Sequence, residues 1–256
     1  MRAGIGLLRA AIASILLFAI PSGAADAHGV LAVPRRRLQT ADFETTGRLV
    51  RVDPNGTRTS YGITMKGRGF PGLLRVLLQV NSPSTARMHA LLEVHFDGAS
   101  TIRIAHPGDR APAVLPFDKW SDGPAGPGFS FEDFLEQQYF WSKQSVETQV
   151  KFGARDCDLV TSAPGAADRT HYAQVKTWLD HTIGFPVYAE KTVRTTGAVK
   201  EFTYMGLRHN GGVWSASQVE EKTRGRGGET LLIIDRGSAK ANLSLTDFSP
   251  EGLTHF

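Results

Sequence analysis

The nearest approach to a metal-binding pattern in this sequence is His89, Glu93 and His95, which share one face of the alternating segment 87–96. At the rise of a strand, Glu93 and His95 stand roughly 7 Å apart and could share an ion, but His89 falls about 20 Å from His95. No HExxH pair or Cys/His cluster supports them, so they read as solvated side chains on an outer face. Cys157 is the single cysteine and sits between Asp156 and Asp158, whose charges disfavour a thiolate nucleophile. Asp118, Asp122, Glu132 and Asp133 cluster in sequence, and loop and helix-cap roles account for them. There is no Gly-x-Ser-x-Gly elbow. The expectation is therefore no catalytic residue, no metal and no cofactor, with a hydrolase assembled from distant positions as a minor alternative.

The elements around these residues read mostly as strands. Segment 43–52, a turn at Asp53-Pro54-Asn55-Gly56 and segment 57–66 form a hairpin. Leu74, Val76, Leu78 and Val80 alternate in 73–80. Met88, Ala90, Leu92, Val94 and Phe96 alternate in 87–96, and after Asp97-Gly98 the chain pairs back over 101–106. Beyond residue 141, further short strands are expected over 146–152, 156–162, 170–180, 186–193, 201–208, 212–222 and 230–235, with glycine turns between several of them.

One segment breaks the pattern. Ser130 with Asp133 three residues on resembles a capping box, and Phe131, Phe134, Leu135, Gln138 and Tyr139 follow a helical stripe. A single amphipathic helix over 128–141 is thus expected to cover the apolar face of a large sheet. Such a cover is too small for the whole face, leaving either a cavity or a filled barrel core.

The N-terminus reads as a secretory signal: Arg2 and Arg9, an apolar run over 10–20, then Ala25-Asp26-Ala27 as the cleavage site, giving a signal peptide over 1–27. Residues 28–42, with Pro34-Arg35-Arg36-Arg37, read as a flexible basic arm that could touch anionic headgroups. Residues 43–256 are expected to form one domain. One cysteine excludes an intramolecular disulfide, so stability has to come from apolar burial. A formal charge of +4 spread along 256 residues gives no sign of nucleic-acid binding.

Specific residues then add a resemblance. Met65-Lys66-Gly67-Arg68-Gly69, Gly128-Phe129-Ser130-Phe131-Glu132-Asp133-Phe134, Trp178-Leu179-Asp180, Phe185-Pro186-Val187, Gly212-Val213-Trp214 and Ile234-Asp235-Arg236-Gly237 occur in the order of a bacterial family. The chain is similar to outer-membrane lipoprotein-sorting proteins, relatives of the periplasmic carriers LolA and LolB. The resemblance implies a mainly β (α+β) fold, an open antiparallel β half-barrel covered by a helical lid, with a cavity that shelters acyl chains. Well-known members carry a substantial N-terminal helix, for which the basic arm here leaves little room.

The function this implies is a periplasmic, non-enzymatic, monomeric carrier of lipoprotein acyl chains or another lipid. It would make transient membrane contact and have an inner-membrane exporter or outer-membrane acceptor as partner. The expected lipid-binding residues are Leu74, Val76 and Leu78, Met88, Leu92 and Val94, and Phe131, Phe134 and Leu135 of the lid. The rival expectation is a structural or scaffold protein in which the same side chains simply fill a core.

Overall fold

Period-two apolar patterning commits the chain to strands, and they assemble into a single antiparallel sheet of 13. The computed structural model describes residues 27–256; the expected signal peptide, Ala27 apart, lies outside them. The strands are β1 (Asp42–Val52), β2 (Arg58–Phe70), β3 (Leu73–Ser82), β4 (Met88–His95), β5 (Thr101–Ala105), β6 (Ala113–Val114), β7 (Lys143–Phe152), β8 (Arg155–Ala163), β9 (Tyr172–Asp180), β10 (Pro186–Val193), β11 (Val199–Asn210), β12 (Val213–Thr223) and β13 (Glu229–Ser238).

Their order is β6-β5-β4-β3-β2-β1-β13-β12-β11-β10-β9-β8-β7. The first and last strands therefore meet at the middle, and β6 and β7 form opposite margins. The sheet is open, as the resemblance implied. It also wraps: Val94 and Ile102 near one margin share an apolar cluster with Val160 and Leu179 near the other. One margin strand, β6, has two residues. The other, β7, is interrupted by a register shift between Glu147 and Val150, with Gln149 at φ 60°.

This topology decides what covers the inner face. β6 and β7 are consecutive in sequence but lie at opposite margins, so the connection between them has to cross the hollow side of the sheet. Trp120, Phe129, Phe131, Leu135 and Tyr139 from that connection are buried in the main cluster with Leu49, Leu78, Leu92 and Phe202 of the sheet.

The connection is not the α-helix expected over 128–141. Over those residues it forms two 3-10 turns, Phe131–Phe134 and Gln137–Tyr139. The capping box at Ser130 and Asp133 does form. Glu136 then takes φ 47° and stops the helical path, and left-handed residues do not continue a right-handed helix. The aromatic stripe survives because a 3-10 turn also brings i and i+3 to one side.

The expected basic arm is also corrected. Ala27–Gln39 forms a helix, α1, that buries Leu31, Pro34 and Leu38. Those positions follow helical spacing, and their burial offsets the cost of an internal proline, which removes one backbone donor. Arg35 donates from Nε to the Tyr139 carbonyl (2.7 Å) and from its terminal nitrogen to Gln144 (2.9 Å). Arg37 pairs with Glu136 at 2.8 Å. Two of the three arginines are thus internal ties between α1 and the cover, leaving Arg36 exposed.

The opposite face of β4 is covered too. Leu243, Phe248 and Leu253 of the C-terminal segment pack on Leu91 and Ala105. His89 is 4% exposed, its Nδ1 lies 2.9 Å from the Leu253 carbonyl, and its ring stacks on Phe256. The expectation of a solvated outer face fails for His89 because the C-terminal tail returns over it. Glu93 is held by Arg75, Arg103 and Thr101.

Candidate functional site

Between the inner face, α1 and the 128–136 cover lies a hollow of about 330 Å³. That is within the ordinary range of small-ligand cavities, roughly 300–1,000 Å³. Each wall follows from strand parity. β3 contributes Leu74 and Val76, β2 contributes Met65, and β13 contributes Leu232 and Ile234. Phe202 and Tyr204 come from β11, Val219 from β12, Phe129 and Phe134 from the cover, and Leu38 from α1.

The inner end carries charge. Asp133 and Lys191 both line the hollow. The Asp133 carboxylate accepts from Lys191 Nζ (2.9 Å), Tyr172 Oη (2.7 Å), and the backbone and hydroxyl of Ser130 (both 2.8 Å), and also from Lys200 Nζ. Lys200 reaches the Gly128 carbonyl as well (2.7 Å). Lys191 Nζ stands 4.6 Å from the Phe202 ring centre, a cation–π contact. Burial alone would raise the Asp133 carboxyl. The ammoniums of Lys191 and Lys200, with the Lys200 and Tyr172 hydrogen bonds, hold it well below the usual carboxylate range. Burial raises the Glu221 carboxyl nearby despite Lys200.

Glu132, the neighbouring acid, is buried as well. It accepts from the Thr170 hydroxyl, from the His171 backbone (3.1 Å) and from His171 Nδ1 (2.9 Å). The two acids that read as loop and cap residues therefore fasten the cover to β9, β10, β11 and the residues just before β9. The missed partners carried a signal: Lys191 shares parity with the buried Val187 and Ala189, and Lys200 with the buried Phe202. A lysine at an inward position needs a buried counter-charge.

Of the residues expected to bind lipid, Leu74, Val76 and Phe134 line the hollow. Leu78, Leu92, Val94 and Leu135 are packed in the core, each 1% exposed or less. Met88 and Phe131 border a second crevice of about 430 Å³ beside residues 119–126. Phe129, Phe185, Phe202, Tyr204 and Trp214, none of them among the expected lipid-binding residues, also line the hollow. Their signal was the alternation of β11 and the turn-flanking aromatics.

The groups that first suggested chemistry stay apart. Among the described residues, no three His, Cys, Asp or Glu side chains are grouped to hold a metal. Cys157 is buried, and desolvation with the Asp180 charge raises its thiol.

A family model described as uncharacterized protein-like matches residues 77–255. The chain belongs to the family of that model. Its fold is that of the LolA-like, lipoprotein-sorting proteins. An outer membrane lipoprotein-sorting protein domain from Vibrio parahaemolyticus superposes with TM-score 0.79 at 18% identity, covering 90% of this chain and 100% of that one. A DUF1329 family protein from Desulfovibrio piger gives 0.78 at 12%, covering 89% and 97%. A LolA superfamily protein from Nitrosomonas europaea gives 0.65 at 14%, covering 88% and 98%. No curated protein matches the sequence.

Proposed function

We propose that this protein is a non-enzymatic carrier that shelters the acyl chain of a lipoprotein or other lipid in its hollow. It would act in the periplasm after export on residues 1–27 and hand its cargo toward the outer membrane. The observation that carries this is the apolar hollow of about 330 Å³ inside an open sheet, left unfilled by the aromatic cover. Each methylene moved from water into such a site contributes about 0.8 kcal/mol, so ten of them contribute about 8 kcal/mol. The fold likeness to lipoprotein-sorting proteins supports the same reading.

The mechanism differs from a swinging lid. Lifting 128–136 would expose Asp133 and strip Lys191 and Lys200 of their counter-charge, and breaking a buried pair of this kind costs about 3–5 kcal/mol. The cover acts instead as a fixed roof, and cargo enters at the open end. Purified protein, extracted with organic solvent and analysed by mass spectrometry, should yield stoichiometric lipid. Alternatively, lipid-free protein should bind a fluorescent fatty acid. Protein that is clean and refuses the probe would establish the filled-core alternative.

A further inference from the structure

The open end of the hollow coincides with a break in the sheet. β12 and β13 pair only between Gln218–Glu221 and Thr230–Ile233. Beyond that point residues 213–217 stay with β11, and residues 234–238 stay with β1. The neighbours on both sides are bent at this level. Gly206 in β11 takes φ 60°, and β1 slips register against β13 between Thr46 and Gly47. The stretches released from one another, Val213–Ser217 and Ile234–Ala239, line the hollow. A gap between strands is thus its mouth.

The mouth is electropositive. Arg208 and Arg236 line it and are exposed. The one acid between the parted strands, Asp235, is taken by Arg48 through two bonds of 2.9 and 3.1 Å. Among the described residues neither Arg208 nor Arg236 has a carboxylate within ion-pair distance. Lys240 lies against the hairpin turn at Gly211. Thr45, opposite Gly237 on β1, also lines the hollow, and its buried hydroxyl has no hydrogen-bond partner among the described residues.

We propose that the cargo is an amphiphile with an anionic head, a carboxylate or a phosphate, that threads its tail between β12 and β13 and leaves the head on Arg208 and Arg236. This rests on the carrier reading above and adds the head chemistry and the route. A guanidinium matches either anion with paired donors, and two of them without counter-ions beside an apolar hollow suit an ion tethered to a hydrocarbon.

The test uses the whole purified protein and three single-chain probes: palmitate, a palmitoyl lysophosphatidic acid and hexadecanol. The variant R208Q/R236Q should weaken both anionic probes about tenfold or more while leaving hexadecanol within about twofold. Loss of one anion alone identifies the head and also supports the proposal. Ala216→Trp, which fills the gap from β12, should weaken all three probes alike, with circular dichroism reporting that the fold is intact. The proposal is overturned if the double variant binds palmitate and the phosphate probe as wild type does, or weakens hexadecanol equally. It is overturned as to route if Ala216→Trp leaves all three unchanged. A wild-type protein that binds none of the probes overturns the carrier reading itself.

Discussion

The carboxylate of Asp133 and the ammonium of Lys191 meet at 2.9 Å with side chains 1% and 4% exposed, joining the cover to the tenth strand. This contact ties the cover to the sheet. It also places a compact ion cluster at the inner end of the hollow.

Asp133→Asn should therefore lose about 3–5 kcal/mol in urea unfolding, since Lys191 and Lys200 then lie buried without a counter-charge. The pH dependence carries the same signature. The folded carboxyl lies below its ordinary 3.8, so its stabilisation is complete above that value and is lost as pH falls below it. The variant should show a flatter stability profile at acid pH than wild type. An equal slope in both proteins would place the acid sensitivity elsewhere.

Phe134 and Leu135 are adjacent but predict different outcomes. Leu135 is 1% exposed and packed in the core, so Leu135→Ala should cost about 2–5 kcal/mol. Its affinity for a fluorescent fatty acid should stay within about threefold, because its side chain does not line the hollow. Phe134 does line it and is half-buried. Phe134→Ala should cost about 1–2 kcal/mol of stability and about tenfold in probe affinity. Titration and thermal melts on the same preparations separate the two residues.

His89 makes the C-terminal cover sensitive to pH. Burial pushes its imidazole below the ordinary 6.5, with Arg87 adding to the effect and the Leu253 carbonyl opposing it. The neutral ring is thus the folded form, so the stabilisation is complete above 6.5 and fades as pH falls below it. Protection of residues 243–256 against hydrogen exchange, corrected for the intrinsic rate at each pH, should fall between pH 7 and pH 5, and His89→Gln should abolish that fall.

Gly206 holds the kink beside the mouth. Its φ of 60° disfavours any side chain, and a Cβ there would fall 2.0 Å from the Ser217 hydroxyl. Gly206→Ala should cost about 1–2 kcal/mol from the backbone alone. Adding Ser217→Ala should recover only the part due to the collision. Chemical denaturation of the single and double variants measures both parts.

The sheet was legible because Leu74, Val76, Leu78 and Val80, and likewise Met88, Ala90, Leu92 and Val94, alternate without interruption, and all are buried on one face. The cover was legible as an apolar segment but not as a conformation. Phe131, Phe134 and Leu135 satisfy a helical stripe whether the backbone is α or two short turns, and the left-handed Glu136 has no signature in its side chain. α1 was hidden by Pro34 and by three consecutive arginines, since their partners Tyr139, Glu136 and Gln144 lie about a hundred residues away. The parting of β12 from β13 was not legible at all, because no local pattern records a pairing that stops.

A sheet that never closes must also avoid recruiting its own copies, since free strand edges template stacking with other chains. The two margins already described answer this differently. Two residues at β6 offer too little ladder to extend. β7 is long enough, but its register shift at Glu147–Val150 misaligns the donors and acceptors, and Lys143 and Lys151 put charge on the rim. The sheet can thus stay open while its margins resist fibril growth at high concentration.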